Sequence, residues 1–307
     1  HTLDFDNGTD VFTNYAAIVV RLIDGSQALR FGSVAPGKAL VQAADFSIVR
    51  PKTDDKWSTL NPCLFANDVT FLAAFTYDVW QYQQYLYPKT SAGGCVRFLG
   101  SFANKNCGNW YVGAGTYCYG SSSISLPGNY FAYANVSNIC LAANQFAGCT
   151  LQASGAYHLL LNGYDQNCFG VSGVGSMPVI SSPTPASLTL TGEQKNENLR
   201  CQFHRAAGLT YAASGRLNFT KWTSPTTGRL AVESGEFAFD ANGGWGGGTN
   251  RAEVVVSGGM LVVAAGAAET DAQVFDLGDL TVAEFVVCKN AMMRKVTTGT
   301  RVMAYLK

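Results

Sequence analysis

Two stretches concentrate side chains suited to holding a sugar. Tyr77, Trp80, Tyr82, Gln84, Tyr85 and Tyr87 crowd one segment, and Trp110 and Tyr111 open a second. Flat rings stack on the apolar C–H faces of a saccharide while amides bond its hydroxyls, and the same Tyr and Trp side chains dominate contacts between proteins. Trp245 stands in a glycine-rich run, Gly243-Gly-Trp-Gly-Gly-Gly, that has no Lys and lacks the order of a phosphate loop. It reads as a ring carried on a loop. The chemistry expected of these residues is non-covalent recognition of a glycan or a cell-surface receptor.

Reactive constellations are fewer. His1, His158 and His204 are the three histidines of the chain. A histidine at an N-terminus offers an α-amine and an imidazole to one metal ion, and this single feature resembles the copper-dependent polysaccharide monooxygenases, which complete a T-shaped brace with a second histidine. The resemblance implies copper as a cofactor, with His158 or His204 as the second ligand; without it no cofactor is expected. The settings AYHLLL and CQFHRA otherwise suit core histidines. Glu233, Glu236 and Asp240 resemble the carboxylate-bearing strands of jelly-roll glycosidases. In an extended strand Glu236 and Asp240 would stand roughly 13 Å apart, at about 3.3 Å per residue, too far for a retaining pair. No G-x-S-x-G elbow and no H-E-x-x-H helix is present, which removes the commonest hydrolase readings.

Cys63, Cys95, Cys107, Cys118, Cys140, Cys149, Cys168, Cys201 and Cys288 form no C-x-x-C pair and have no neighbouring histidines, so a zinc knuckle is not expected. Their spacing suits disulfides that staple loops in an oxidising compartment, with one thiol left over and Cys201 paired to Cys288. Sequons at Asn7, Asn135 and Asn218 agree with a secreted glycoprotein.

The elements that must position these residues read as strands. Short β-branched or alternating runs such as Leu188-Thr-Leu-Thr, Glu236-Phe-Ala-Phe and Glu253-Val-Val-Val are bounded by Gly, Asn, Asp or Ser, and helical patterns are scarce. The run SMPVISSPTPAS over 176–187 reads as a linker. It would divide a Cys- and Tyr-rich module (1–180) from a Gly-, Ala- and Val-rich β-sandwich module (188–307). No βαβ rhythm and no repeat of fixed period stands out. The expected fold is all-β, with antiparallel sandwich or jelly-roll modules and disulfide-stapled loops.

Hydrophobic residues make up 47% of the 307 residues, enough for a large core, and 21 basic residues balance 21 acidic ones. That neutrality argues against nucleic acid as a partner, and no uninterrupted apolar stretch is long enough to span a bilayer. The expectation is an extracellular or virion-surface recognition protein rather than an enzyme. The alternatives are a viral coat or shell protein cut from a precursor, which predicts homo-oligomers and free thiols, and a secreted polysaccharide-active enzyme.

Overall fold

The computed structural model describes residues 2–5, 8–21, 29–50, 64–79, 89–91, 93–105, 109–120, 124–125, 128–132, 135–173, 177–199, 201–219, 223–239, 244–246, 252–263, 273–276, 279–282, 285–287, 291–294 and 305–306. Among them the regular structure is all strand, and no helix is long and apolar enough to cross a membrane. The chain divides into two compact units, His1–Tyr157 and His158–Lys307.

In the first unit the chain visits three faces in turn and then returns to the first. One face holds Thr2–Asp4, Arg30–Gly32, Leu64–Ala66 and Lys89–Thr90, paired in parallel. The second holds Val11–Asn14, Ala39–Gln42, Asp68–Phe71, Cys95–Phe98, Gly115–Tyr119 and Val136–Cys140, again in parallel. The third stacks Ile18–Arg21, Phe46–Arg50, Phe75–Val79, Phe102–Asn104 and Ile124–Ser125. A further parallel ladder joins Asn109–Val112, Asn129–Ala132 and Thr150–Ala153. The unit is a parallel β-solenoid, in which each coil lies on the one before it. Asn14 bonds Gln42 across one coil of 28 residues, whereas Gln152 reaches Asn129 across 23.

This arrangement overturns the antiparallel sandwich. Period-two alternation and β-branched content mark a strand without saying which way its neighbour runs. A tight hairpin would bring partners within a few residues, but here each partner is a full coil away.

In-register stacking explains the aromatic content. Phe71, Phe98 and Tyr119 occupy equivalent positions on successive strands and stack at centroid distances of 5.5 Å and 5.5 Å. Phe46, Phe75 and Phe102 do the same on the third face, at 5.7 and 5.4 Å. The two columns meet edge to face inside the coil, with Phe75 at 4.8 Å from Phe98 and Phe98 at 5.0 Å from Phe102. Offset stacks along the axis and edge contacts across it are the two geometries that ring quadrupoles favour. Towards residues 110–157 the core turns polar. The Trp110 indole donates to the Tyr119 hydroxyl (3.3 Å), Tyr119 donates to Tyr130 (3.3 Å), Tyr130 donates to Asn138 Oδ1 (2.8 Å), and the Asn138 amide donates to Tyr157 (2.9 Å). Every member of this chain is buried, so each hydroxyl needs the partner it has.

The second unit repeats the principle. Tyr157–Leu160, Val179–Leu190, Gln202–Phe219, Leu230–Phe239 and Glu253–Val256 pair in parallel. Leu188, Leu209, Leu230 and Val254 form one buried column and Leu190, Tyr211, Val232 and Val256 another. Gln202–Phe219 and Leu230–Phe239 each bend at a glycine. Gly215 has φ +82° and Gly235 has φ +66°, and a Cβ on Gly235 would sit 2.4 Å from the Ala213 carbonyl oxygen. Only glycine accepts both the backbone and the crowding. The bends recur as Ser-Gly-Arg-Leu-Asn-Phe and Ser-Gly-Glu-Phe-Ala-Phe, a repeat that accompanies the stacking.

Two further expectations change. The 176–187 segment is no linker, since most of it belongs to the strand Val179–Leu190. Pro183, Thr184 and Pro185 are exposed at a bulge where the register shifts between Ser182 and Ala186, so neither proline interrupts a ladder. The division into units falls between Tyr157 and His158. Disulfide-stapled loops are also overturned. Cys95, Cys118, Cys140, Cys149, Cys168 and Cys201 are buried, and no disulfide joins any two of them. Cys63, Cys107 and Cys288 lie outside the described residues, so the pairing of Cys201 with Cys288 does too.

Candidate functional site

The strand Tyr157–Leu160 alternates buried Tyr157 and Leu159 with half-buried His158 and Leu160, which turns the histidine away from the core. In the next strand Ser181 stands beside Leu160, and in the one after that His204 stands beside Ser181 and Arg205 beside Ser182. Parallel stacking thus gathers His158, Ser181, Gln202, His204 and Arg205 on one side of the second unit. His158 Nε2 and Ser181 Oγ are 2.6 Å apart, and His204 Nε2 lies 3.1 Å from Gln202 Oε1. An amide oxygen only accepts, so His204 carries its proton on Nε2.

Both imidazoles are held below the ordinary histidine value of 6.5. For His158 burial is the main cause, helped by His204 and Arg205; for His204 it is burial and then Arg205. At neutral pH both rings are uncharged. Arg205 is exposed and adopts a left-handed backbone at φ +59°. Its carbonyl is pinned by the Thr227 amide (2.6 Å), the Thr226 hydroxyl (3.0 Å) and the Thr227 hydroxyl (3.1 Å). A non-glycine residue in that region costs energy and persists only where its surroundings impose it.

The Ser181–His158 contact has the length of a nucleophile–base pair, but Ser181 is only 4% exposed. His158 makes no second hydrogen bond among the described residues that would orient it as a base. The arrangement offers hydrogen-bond donors and positive charge rather than a nucleophile. No group of three or more metal-ligating side chains forms among the described residues. Two of the three candidate brace histidines share this face, His204 Nε2 is already engaged by Gln202, and His1 lies outside the described residues.

The aromatic residues expected to contact a ligand lie elsewhere. Tyr77, Trp110 and Trp245 are 4%, 1% and 0% exposed. Tyr77 packs edge-on to Trp110 at 4.9 Å. Trp245 donates to the Gly228 carbonyl at 2.8 Å and meets Phe203 at 4.9 Å, so its ring is core, not a loop contact. These three cannot touch a ligand in the folded protein. Trp80, Tyr82, Gln84, Tyr85 and Tyr87 lie outside the described residues, as does the side chain of Tyr111. Of the sequons, Asn135 is exposed, Asn218 accepts from Arg216 Nε at 2.8 Å, and Asn7 is not described. Glu236 is paired with Arg216, its neighbour in the ladder, Glu233 is exposed, and Asp240 is not described.

Ser181, Gln202 and Arg205 were missed by the sequence reading. One signal was present: His158 and Ser181 are 23 residues apart, close to one coil, and His204 follows after the same interval. Fold and face together define a parallel β-solenoid with a polar, locally basic side. No protein-family model, no curated protein and no solved structure matches this chain.

Proposed function

We propose that the chain is a non-enzymatic recognition protein of the cell exterior or of a virion surface, and that it holds an extended glycan along the outward side of its second unit. The observation that carries this reading is the register. Hydrogen-bonding side chains recur from one coil to the next, with Ser181 beside His204, and with Ser187 and Thr210 joined at 3.0 Å between their hydroxyls. Neighbouring strands lie about 4.8 Å apart, close to the length one pyranose adds to an extended chain. A rigid ladder of that spacing can meet successive sugars without ordering cost in the protein. Isothermal titration of the full chain against neutral and acidic oligosaccharides tests the idea; saturable binding to at least one supports it, and no binding to any of them overturns it.

A second reading, a coat or shell component, is favoured by one surface. Tyr15, Leu72, Leu99 and Leu141 follow directly after the first, third, fourth and sixth strands of the second face of the first unit, with Ala43 and Gly120 at the equivalent positions between them, and from Ala43 onward each of these positions donates its amide to a carbonyl one coil earlier. Tyr15, Leu72 and Leu99 are 80%, 49% and 40% exposed, an apolar stripe suited to contact between copies. Its test is the oligomeric state of Leu72→Ser/Leu99→Ser. Loss of association relative to the unaltered protein supports assembly, and a monomer in both overturns it.

A further inference from the structure

We propose that His158, His204 and Arg205 form a subsite for the carboxylate of an acidic polysaccharide, a uronate unit of the glycan invoked above; the inference rests on that glycan reading and narrows its chemistry. Three basic side chains from alternate coils converge where, among the described residues, no acidic group pairs with them. Tyr157–Leu160 contributes His158 as its only titratable group with a basic nitrogen, and Val179–Leu190 carries no charged residue at all. Gln202–Phe219 brings His204 and Arg205, while its other cation, Arg216, is committed to Glu236. Thr223–Ser224 and the bridging Thr226 add hydroxyls only.

Arg205 is the exception among the arginines around it. Arg216 and Arg229 each face a carboxylate, whereas Arg205 makes no ion pair among the described residues. Its left-handed backbone, fixed by three bonds to its carbonyl, sets the point from which the side chain leaves the strand. The exposed Arg205 guanidinium, joined by the two imidazoles once they are protonated, makes a donor set for one carboxylate. A nucleic acid would need a run of cations to offset its phosphates. One arginine beside two neutral imidazoles, in a chain of zero net charge, instead suits a polymer whose charges come one per sugar.

The subsite is linked to protons. Unoccupied, the histidines gain a charge only below 6.5 and beside a cation; a bound carboxylate favours that charge and raises both values. Binding therefore takes up protons, and affinity rises as pH falls through the window between the free and bound values, by up to about tenfold per pH unit for each histidine.

The experiment is titration of the full chain with oligogalacturonate and with its methyl ester at pH 7.5 and pH 5.5 in low salt. The acid form is expected to bind at least about tenfold more tightly at the lower pH, and the ester to show no such gain. Arg205→Ala should lose about tenfold or more for the acid form. Arg205→Gly, which accepts the left-handed backbone, repeats the test without risk to folding. His158→Gln/His204→Gln should keep a weaker, Arg205-dependent binding with a flat pH profile. If the ester binds and the acid form gains nothing over it, the subsite is refuted while the glycan reading survives. If neither binds, the subsite is refuted, and the glycan reading is decided by the wider set of oligosaccharides above. A pH profile that persists in the double histidine variant also refutes the subsite.

Discussion

Phe98→Ala strikes the point where the stacked architecture concentrates its energy. The Phe98 ring is 1% exposed and lies between Phe71 and Tyr119 at 5.5 Å on either side, with Phe75 and Phe102 edge-on at 4.8 and 5.0 Å. Truncating a buried phenylalanine costs about 3–5 kcal/mol in transfer and cavity terms, and aromatic pairing adds about 0.5–1.5 kcal/mol for each pair lost. The expected loss thus lies at or above about 5 kcal/mol, comparable with the whole stability of many domains. Leu99→Ala is the control. Leu99 is the next residue in the chain but is 40% exposed, and its truncation should cost under about 1 kcal/mol. Urea unfolding followed by intrinsic fluorescence measures the difference. Amide exchange locates it, because coils of a solenoid couple mainly to their immediate neighbours, so protection should fall first around Phe71 and Tyr119. If Phe98→Ala costs no more than Leu99→Ala, the rings do not stack as described and the coil argument fails with them.

Three other outcomes follow from buried polar and titrating groups. Asn138→Leu removes the partner of both the Tyr130 and Tyr157 hydroxyls and should cost about 2 kcal/mol or more in urea unfolding. In native protein at pH 8, iodoacetamide with peptide mapping should label Cys95 ahead of Cys140, Cys149 and Cys201. The Cys118 S–H and the Arg97 charge hold the Cys95 thiol down, whereas burial pushes Cys140 and Cys201 up and Cys149 to about 12; equal labelling would contradict this. His158 is depressed on folding, so between 6.5 and its folded value the unfolded chain binds the extra proton and stability falls as pH falls. His158→Gln should flatten that acid-side slope in thermal scans, and an unchanged slope would assign it elsewhere.

Strand content was legible because alternation and β-branched runs report a pleated, half-buried chain, as in Glu253-Val-Val-Val and Glu236-Phe-Ala-Phe. Strand direction was not, since the two faces of a strand look alike whichever way the neighbour runs. The coil could have been found from recurrence. Ser214-Gly-Arg-Leu-Asn-Phe and Ser234-Gly-Glu-Phe-Ala-Phe repeat a bend and its flanking pattern, and Phe46, Phe75 and Phe102 recur at comparable intervals. The coil lengths drift, from 28 residues at Asn14 and Gln42 to 21 at Ala213 and Ser234, which hides the period from any test for a constant one. The cysteines misled for a related reason: the six described ones are buried in the coils, where a thiol serves as a small core side chain, and their separations along the chain carried no information about bridges.

The same geometry explains why the candidate site escaped a reading based on aromatic clusters. In a narrow three-faced coil the inward positions of every strand converge on one axis, and large flat rings fill that space best by stacking along it, as Phe71, Phe98 and Tyr119 do. Abundant Tyr and Trp therefore reported the interior, and Trp110 and Trp245 were drawn into it even from segments rich in glycine and asparagine. What surrounds the candidate site is set by register: small polar residues that are unremarkable singly, such as Ser181 and Gln202, gain meaning when stacking places them beside His158, His204 and Arg205. Recognition on such a scaffold depends on which residues share a column, and that is a property of coil length, not of local composition.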